Sequence, residues 1–74
     1  MEKIYETPDL SLAGFLVAKG YIYTVRKEGK KGIFIFETDD EFENIINDYY
    51  SNGSVNVLDY KDALRNLKSR IINS

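Results

Sequence analysis

The sequence of 74 residues contains no cysteine and no histidine. Without cysteine the chain can form no disulfide, no thiolate metal site and no thiol nucleophile. Without histidine it lacks the commonest general base and the commonest metal ligand, so Ser-His-Asp and Cys-His triads are impossible. The segment Gly29–Gly32 joins two predicted strands and precedes no helix, so it is not a phosphate-binding loop. We therefore expect a protein that is not an enzyme and that uses no cofactor.

Long apolar runs are also missing. The longest extend over only a few residues, whereas a membrane-spanning helix needs about 20. The opening sequence Met-Glu-Lys-Ile-Tyr-Glu carries acids and no apolar segment, unlike a secretory signal peptide. These features predict a cytoplasmic protein with no membrane partner.

The chain is short but rich in aromatic residues. A length of 74 residues is near the lower limit for folding without disulfides or metals. Six tyrosines and four phenylalanines supply the apolar surface that such a small domain must bury. We expect a single α+β domain over residues 1–74, and the small size together with many rings favours a homodimer.

The first predicted helix follows an optional edge strand at residues 3–6. Thr7 as N-cap and Pro8 at the first helical position are typical of a helix start, and Gly20 is typical of a C-terminal cap. Gly14, in the middle, costs about 1 kcal/mol relative to alanine. We therefore expect another element to pack closely at Gly14.

A β-hairpin is predicted next. Residues 21–26 and 33–37 are rich in β-branched and aromatic side chains, and Gly29 and Gly32 lie in the connection.

The second strand of this hairpin is apolar on both faces. Ile33 and Ile35 share one face, and Phe34 and Phe36 share the other. Helices on one side of a sheet cannot cover both sets, so we expect part of this apolar surface to stay exposed or to meet a partner.

Two further helices complete the pattern. Thr38 and Glu41 form a capping box for a helix over residues 38–52. A short extended segment, Ser54 to Val57, precedes a last helix that Asn56 can cap. The predicted order is (β)αββα(β)α, an α+β fold in which three helices pack on a small antiparallel sheet. Apolar residues at helical spacing should supply most of the core: Phe15, Leu16, Phe42, Ile45, Ile46, Tyr49, Leu64, Leu67 and Ile71.

Charged side chains are sorted by sign along the chain. Between Lys19 and Lys31 all but Glu28 are basic, and between Glu37 and Asp48 all are acidic, although the net charge is only −2. Such sorting gives a dipolar surface that can orient a charged partner. It would also let the basic hairpin of one copy approach the acidic helix of another in a symmetric dimer.

The acidic block begins where the second long helix is predicted to begin. Its carboxylates could ligate Mg²⁺ or Ca²⁺. However, acids in a first helical turn are what the helix dipole favours, and the spacing is not that of an EF-hand loop. We expect no metal site.

The charge pattern, the doubly apolar strand and the many tyrosines together favour a protein-binding module, an adaptor or an inhibitor of another protein. The predicted partner-binding residues are the basic side chains of the hairpin and the rings of its strands: Arg26, Lys27, Lys30, Lys31, Tyr21, Tyr23, Phe34 and Phe36.

The alternative is a protein that binds single-stranded nucleic acid. The segment Lys31–Phe36 (Lys-Gly-Ile-Phe-Ile-Phe) is similar to the third-strand signature of RNA-recognition motifs. In such sheets exposed rings stack on bases while basic side chains contact phosphates. This alternative requires Phe34 and Phe36 to be open to solvent beside Tyr5.

Three short motifs recur in a known family. They are Thr-x-Asp-Leu at residues 7–10, Phe-x-Phe-Glu at residues 34–37 and Ala-Leu-Arg-x-Leu-Lys at residues 63–68. Through them, and over nearly its whole length, the chain resembles a family of short uncharacterised bacterial and phage proteins known as domain of unknown function 5659. The resemblance implies an origin in bacteria, phages or other mobile elements. It implies no activity, cofactor or site residue.

Overall fold

Three strands and three helices follow one another in the order βαββαα. The structure is a computed structural model that describes residues 3–51 and 53–73. The order and the antiparallel sheet confirm the predicted α+β class. The elements are β1 (Ile4–Thr7), α1 (Leu10–Ala18), β2 (Tyr23–Glu28), β3 (Lys31–Glu37), α2 (Phe42–Tyr50) and α3 (Val57–Asn73).

The sheet has β3 at its centre, with β1 and β2 antiparallel on either side. Phe36 lies between Tyr5 and Tyr23, and Phe34 lies between Thr7 and Val25. Because opposed residues share a face, these side chains form one surface of the sheet, called here the inner face. The alternate residues of the three strands form the outer face.

All three helices pack on the inner face. Phe34 and Phe36 are 0% exposed there. The molecule measures 33 × 31 × 17 Å, so it consists of one sheet layer and one helix layer. Helix α1 carries no charged residue, which suits its contacts with β1, α2 and α3. The buried apolar residues are Leu12, Ala13, Phe15, Leu16, Phe34, Phe36, Phe42, Ala63 and Leu67.

The predicted core is correct in part. Of its nine residues, Phe15, Leu16, Phe42 and Leu67 are buried. The other five are only half-buried: Ile45, Ile46, Tyr49, Leu64 and Ile71.

The N-cap of α1 lies two residues later in the sequence than predicted. Asp9, not Thr7, is the N-cap, and its carboxylate accepts the N–H groups of Ser11 and Leu12 at 3.0 and 3.2 Å. Thr7 instead ends β1, where it is buried and its Oγ1 accepts the N–H of Asp9 at 3.1 Å. The expectation for Thr7 is therefore wrong, because pairing with β3 holds this residue in the sheet.

The end of α1 confirms the predicted glycine cap. Gly20 has a φ of 98°, a conformation that favours glycine. Its N–H donates to the carbonyl of Val17, and the N–H of Tyr21 donates to the carbonyl of Leu16. This pair of bonds is the Schellman motif, which satisfies the last carbonyls of the helix.

The predicted capping box of α2 is wrong. Thr38 donates its N–H and its Oγ1 hydroxyl to the carbonyl of Lys3, at 3.0 and 3.1 Å, and so extends the β1–β3 ladder. Helix α2 then begins at Phe42, after a turn in which the Asp39 carboxylate accepts the N–H of Glu41 at 3.1 Å. Thr38 pairs with Lys3 in the sheet and therefore does not cap α2.

Helix α3 starts as predicted. Asn56 Oδ1 accepts the N–H groups of Leu58 and Asp59 at 3.0 and 3.1 Å. The extended segment expected over residues 54–57 is not a strand: residues 53–56 are irregular, and Val57 already belongs to α3. The hydrogen bonds that Asn56 accepts hold this part of the backbone in position for the start of α3.

The hairpin turn is shorter than predicted. It consists of Gly29 and Lys30, and Gly29 has a φ of 61°, as the first position of a tight hairpin turn requires. Gly32 is not in the turn but inside β3, opposite Lys27. A Cβ at Gly32 would lie 2.9 Å from Cγ1 of Ile71, so glycine lets α3 approach the sheet.

Helices α1 and α3 come into close contact at Gly14, as the sequence predicts. A Cβ there would lie 2.6 Å from Cδ2 of Leu64 and 3.3 Å from Cε1 of Tyr60. The Tyr60 hydroxyl also donates to the carbonyl of Ser11 at 3.3 Å. The missing side chain thus sets the spacing of the two helices.

We expect Gly14→Ala to lower the free energy of unfolding. Alanine gains about 1 kcal/mol of helix propensity, but overpacking against Leu64 costs about 1–3 kcal/mol. In a double-mutant cycle measured by denaturant unfolding, Leu64→Ala should cost less in the Gly14→Ala background than in the original protein. Strictly additive losses would contradict the close contact.

Candidate protein interface

The outer face of the sheet is apolar at its centre. Ile33 and Ile35 of β3 are half-buried there by their neighbours on the edge strands. At one end of the face Ile4 is 59% exposed and Ile22 is 71% exposed. Together with Ile35 they surround a shallow hollow of about 150 Å³. The hollow, together with Ile4, Ile22 and Ile35 around it, is called here the isoleucine hollow.

An ion-pair network crosses the same face. Arg26 Nη2 lies 2.7 Å from Glu6 Oε1 and 3.0 Å from Glu28 Oε1. Arg26 lies opposite Ile33 and Glu6 opposite Ile35, so the Arg26–Glu6 pair spans β3 and joins the two edge strands. The hydrogen bond to Glu6, and then its charge, raise the pKa of the Arg26 guanidinium. The charge of this predicted partner-binding residue is thus balanced within the chain.

The other predicted basic residues lie near the hairpin turn. Lys30 is in the turn, and Lys31 lies opposite Glu28 at the end of the outer face. Lys27 lies opposite Gly32 and so belongs to the inner side of the sheet. All three are exposed. Lys30 and Lys31 therefore lie beside the outer face, whereas Lys27 does not.

The predicted aromatic residues lie on the covered side. Phe34 and Phe36 are fully buried, so their assignment to a partner-binding surface is wrong: β3 turns its phenylalanines, not its isoleucines, toward the helices. The nucleic-acid alternative required these two rings to be open to solvent, and this condition is not met. The ring of Tyr23 packs against Phe36, with Arg70 of α3 at 5.6 Å from its centroid.

Tyr21 links the sheet to the start of α2. Its hydroxyl donates to Asp39 Oδ1 at 2.8 Å, and its ring meets Phe42 edge-on with centroids 5.1 Å apart. Burial, together with this hydrogen bond and the charge of Asp39, raises the pKa of Tyr21 to about 12. Tyr21 is therefore engaged within the fold rather than presented to a partner.

A second surface, which the sequence analysis does not predict, lies between β1 and α2. It is a groove of about 880 Å³, called here the β1–α2 groove, with strand residues on one side and the first turns of α2 on the other. Its lining residues are Lys3, Ile4, Tyr5, Thr38, Asp39, Asp40, Phe42, Glu43, Ile46 and Asn47. The groove combines apolar side chains with three carboxylates.

Within residues 3–51 and 53–73, no three carboxylates come together in a way that could hold a metal ion. In the same part of the chain, no helix is both long and apolar enough to cross a bilayer.

The family model described as Domain of unknown function (DUF5659) matches residues 2–73, and the chain belongs to this family. No curated protein and no solved structure matches the chain significantly. The family assigns no site, so the two surfaces described above are the basis for any functional inference.

We expect the tyrosinate titration to depend on Asp39. The raised pKa means that the contribution of Tyr21 to stability is present below pH about 10 and is lost as the pH rises through about 12. Asp39→Asn removes the carboxylate and should lower the pKa of Tyr21. Absorbance titration of tyrosinate checks this, with Tyr21→Phe identifying which part of the curve belongs to Tyr21. An unchanged titration in Asp39→Asn would contradict the hydrogen bond.

Proposed function

We propose that the protein is a non-enzymatic binding module, an adaptor or inhibitor of another protein, that binds its partner through the outer face of the sheet. The isoleucine hollow carries this proposal. A single exposed apolar side chain needs no explanation, but three around one hollow resemble the apolar centre that protein interfaces bury.

The charged side chains of the outer face indicate which kind of partner could bind there. Lys30 and Lys31 are exposed at the other end of the face, whereas Arg26 is balanced by Glu6. An acidic protein surface with a protruding apolar side chain would fill the hollow and meet the lysines. A protein is favoured over nucleic acid because the rings that could stack on bases lie beneath the helices.

We place this interaction in the cytoplasm of a bacterium or of a phage-infected bacterium. This is the setting that the sequence and the family resemblance imply. Partner capture should therefore use a lysate of such cells.

The test is affinity capture with variants of the hollow. Ile22→Glu places a charge at the hollow and should weaken capture of an acidic partner by about tenfold or more, which corresponds to about 1.4 kcal/mol. The matched control is Leu58→Glu, at a side chain of α3 that is 72% exposed. Equal capture by both variants, or recovery of nucleic acid alone, would contradict the proposal.

A second pair of variants tests the lysines. Lys30→Glu with Lys31→Glu should weaken capture and reduce its dependence on salt, because the favourable charge contacts are lost. Lys61→Glu with Lys68→Glu makes the same change in net charge on exposed positions of α3. If the two pairs weakened capture equally, capture would depend on the net charge of the protein alone, which would contradict a specific role for Lys30 and Lys31.

Self-association remains a prediction, and it would use the same uncovered face. A flat sheet face of three short strands is small beside the roughly 800 Å² per partner that a stable interface buries. Sedimentation at low micromolar concentration distinguishes a monomer from a dimer. A species of 8.5 kDa in both low and high salt would rule out the dimer.

A further inference from the structure

In the part of the chain that the structure describes, β1 is an edge strand and no strand pairs with its free side. The N–H of Thr38 donates to the carbonyl of Lys3, so Lys3 and Thr38 form a hydrogen-bonded pair of the antiparallel ladder. Such pairs alternate along a ladder, so Tyr5 and Thr7 also bond to β3. The backbone N–H and C=O groups of Ile4 and Glu6 therefore point away from β3, toward the free edge of the sheet.

The β1–α2 groove lies beside this edge and has an apolar floor. The ring centroids of Tyr5 and Phe42 are 5.2 Å apart, and Phe42 is buried. Ile46, one turn further along α2, is half-buried and also lines the groove. These side chains would bury an apolar side chain of an extended segment laid along β1.

The rim of the groove is acidic. Its charged lining residues are Asp39, Asp40, Glu43 and Lys3, a formal excess of two negative charges. Asp39 already accepts hydrogen bonds from Tyr21 and from the backbone of Glu41.

Two of the acids remain available for a ligand. Asp40 and Glu43 are exposed and form no ion pair with any residue that the structure describes. They would attract the basic side chains of an extended segment whose apolar side chains enter the groove.

We propose that the β1–α2 groove binds an extended peptide segment of a partner protein, in which a basic and an apolar residue stand two positions apart and so share one face, as an added strand on β1. Three independent features carry this inference: the open backbone edge, the apolar floor and the acidic rim. In β-augmentation the main-chain bonds supply affinity, and the side-chain pockets supply specificity. The inference rests on the proposed function in taking a protein as the partner, and the two surfaces share Ile4 but are otherwise lined by different residues.

The probe is a short capped peptide, Thr-Lys-Thr-Val-Thr-Lys-Thr, in which the valine and the lysines stand two positions apart and so share one face. We expect it to bind with a Kd below about 1 mM and to shift the backbone amide NMR signals of Ile4, Glu6 and Phe42. A peptide in which glutamate replaces lysine is the control, and it should bind at least about tenfold more weakly. Equal binding of both peptides, shifts confined to the hairpin, or no binding would overturn the proposal.

One pair of variants tests the acidic rim. Asp40→Asn with Glu43→Gln keeps the shapes of the side chains and should weaken binding of the lysine peptide by about tenfold. The control is Asp48→Asn with Asp59→Asn, which removes two charges from exposed acids that do not line the groove. A similar loss in both pairs would overturn the assignment to the groove.

A second pair tests the added strand. Ile4→Pro removes one outward N–H without removing a bond of the β1–β3 ladder, and Ile4→Ala shortens the same side chain but keeps the N–H. Binding should be weaker in Ile4→Pro than in Ile4→Ala, and thermal unfolding measures whether both variants remain folded. Equal binding by two folded variants would overturn strand addition. The outer-face proposal is tested at Ile22, Lys30 and Lys31, which do not line the groove, so the two proposals can fail separately.

Discussion

The burial of Phe34 and Phe36 beneath the helices is the interaction on which the rest of the structure depends. Both belong to β3, the central strand, and both are completely enclosed. Because side chains alternate along a strand, this burial turns Ile33 and Ile35 to the other side of the sheet. The described residues form one sheet layer and one helix layer, so none of residues 3–51 and 53–73 forms a layer over that second side. The apolar outer face follows directly from the choice of core.

Much of the fold could be predicted because its signals are local. Gly20 ends α1 and Asn56 begins α3 through contacts with residues close in sequence. Thr38 was predicted wrongly because its partner, Lys3, is distant in sequence. Gly32 likewise owes its role to Ile71, a residue of the last helix. The sequence also did not reveal which face of β3 would be buried, because phenylalanine and isoleucine suit a core equally well.

The candidate surfaces show the same division. The basic residues around the hairpin are adjacent in sequence and could be identified, although the rings assigned with them proved to be core. The β1–α2 groove was missed because β1 and α2 are far apart in sequence and come together only in the fold. Strand β3 also separates the basic and the acidic residues in space. It begins at Lys31 and ends at Glu37, and its seven residues span about 23 Å.

Denaturant unfolding of Phe34→Ala and Ile35→Ala tests the central claim most directly, since the two residues are neighbours on one strand. Phe34→Ala should lower the free energy of unfolding by about 3–5 kcal/mol, because it leaves a cavity in the core beneath the helices. Ile35→Ala should cost less than half as much, because its side chain lies on the uncovered face. Equal losses, or a larger loss for Ile35→Ala, would show that the isoleucine face is buried and would contradict this account.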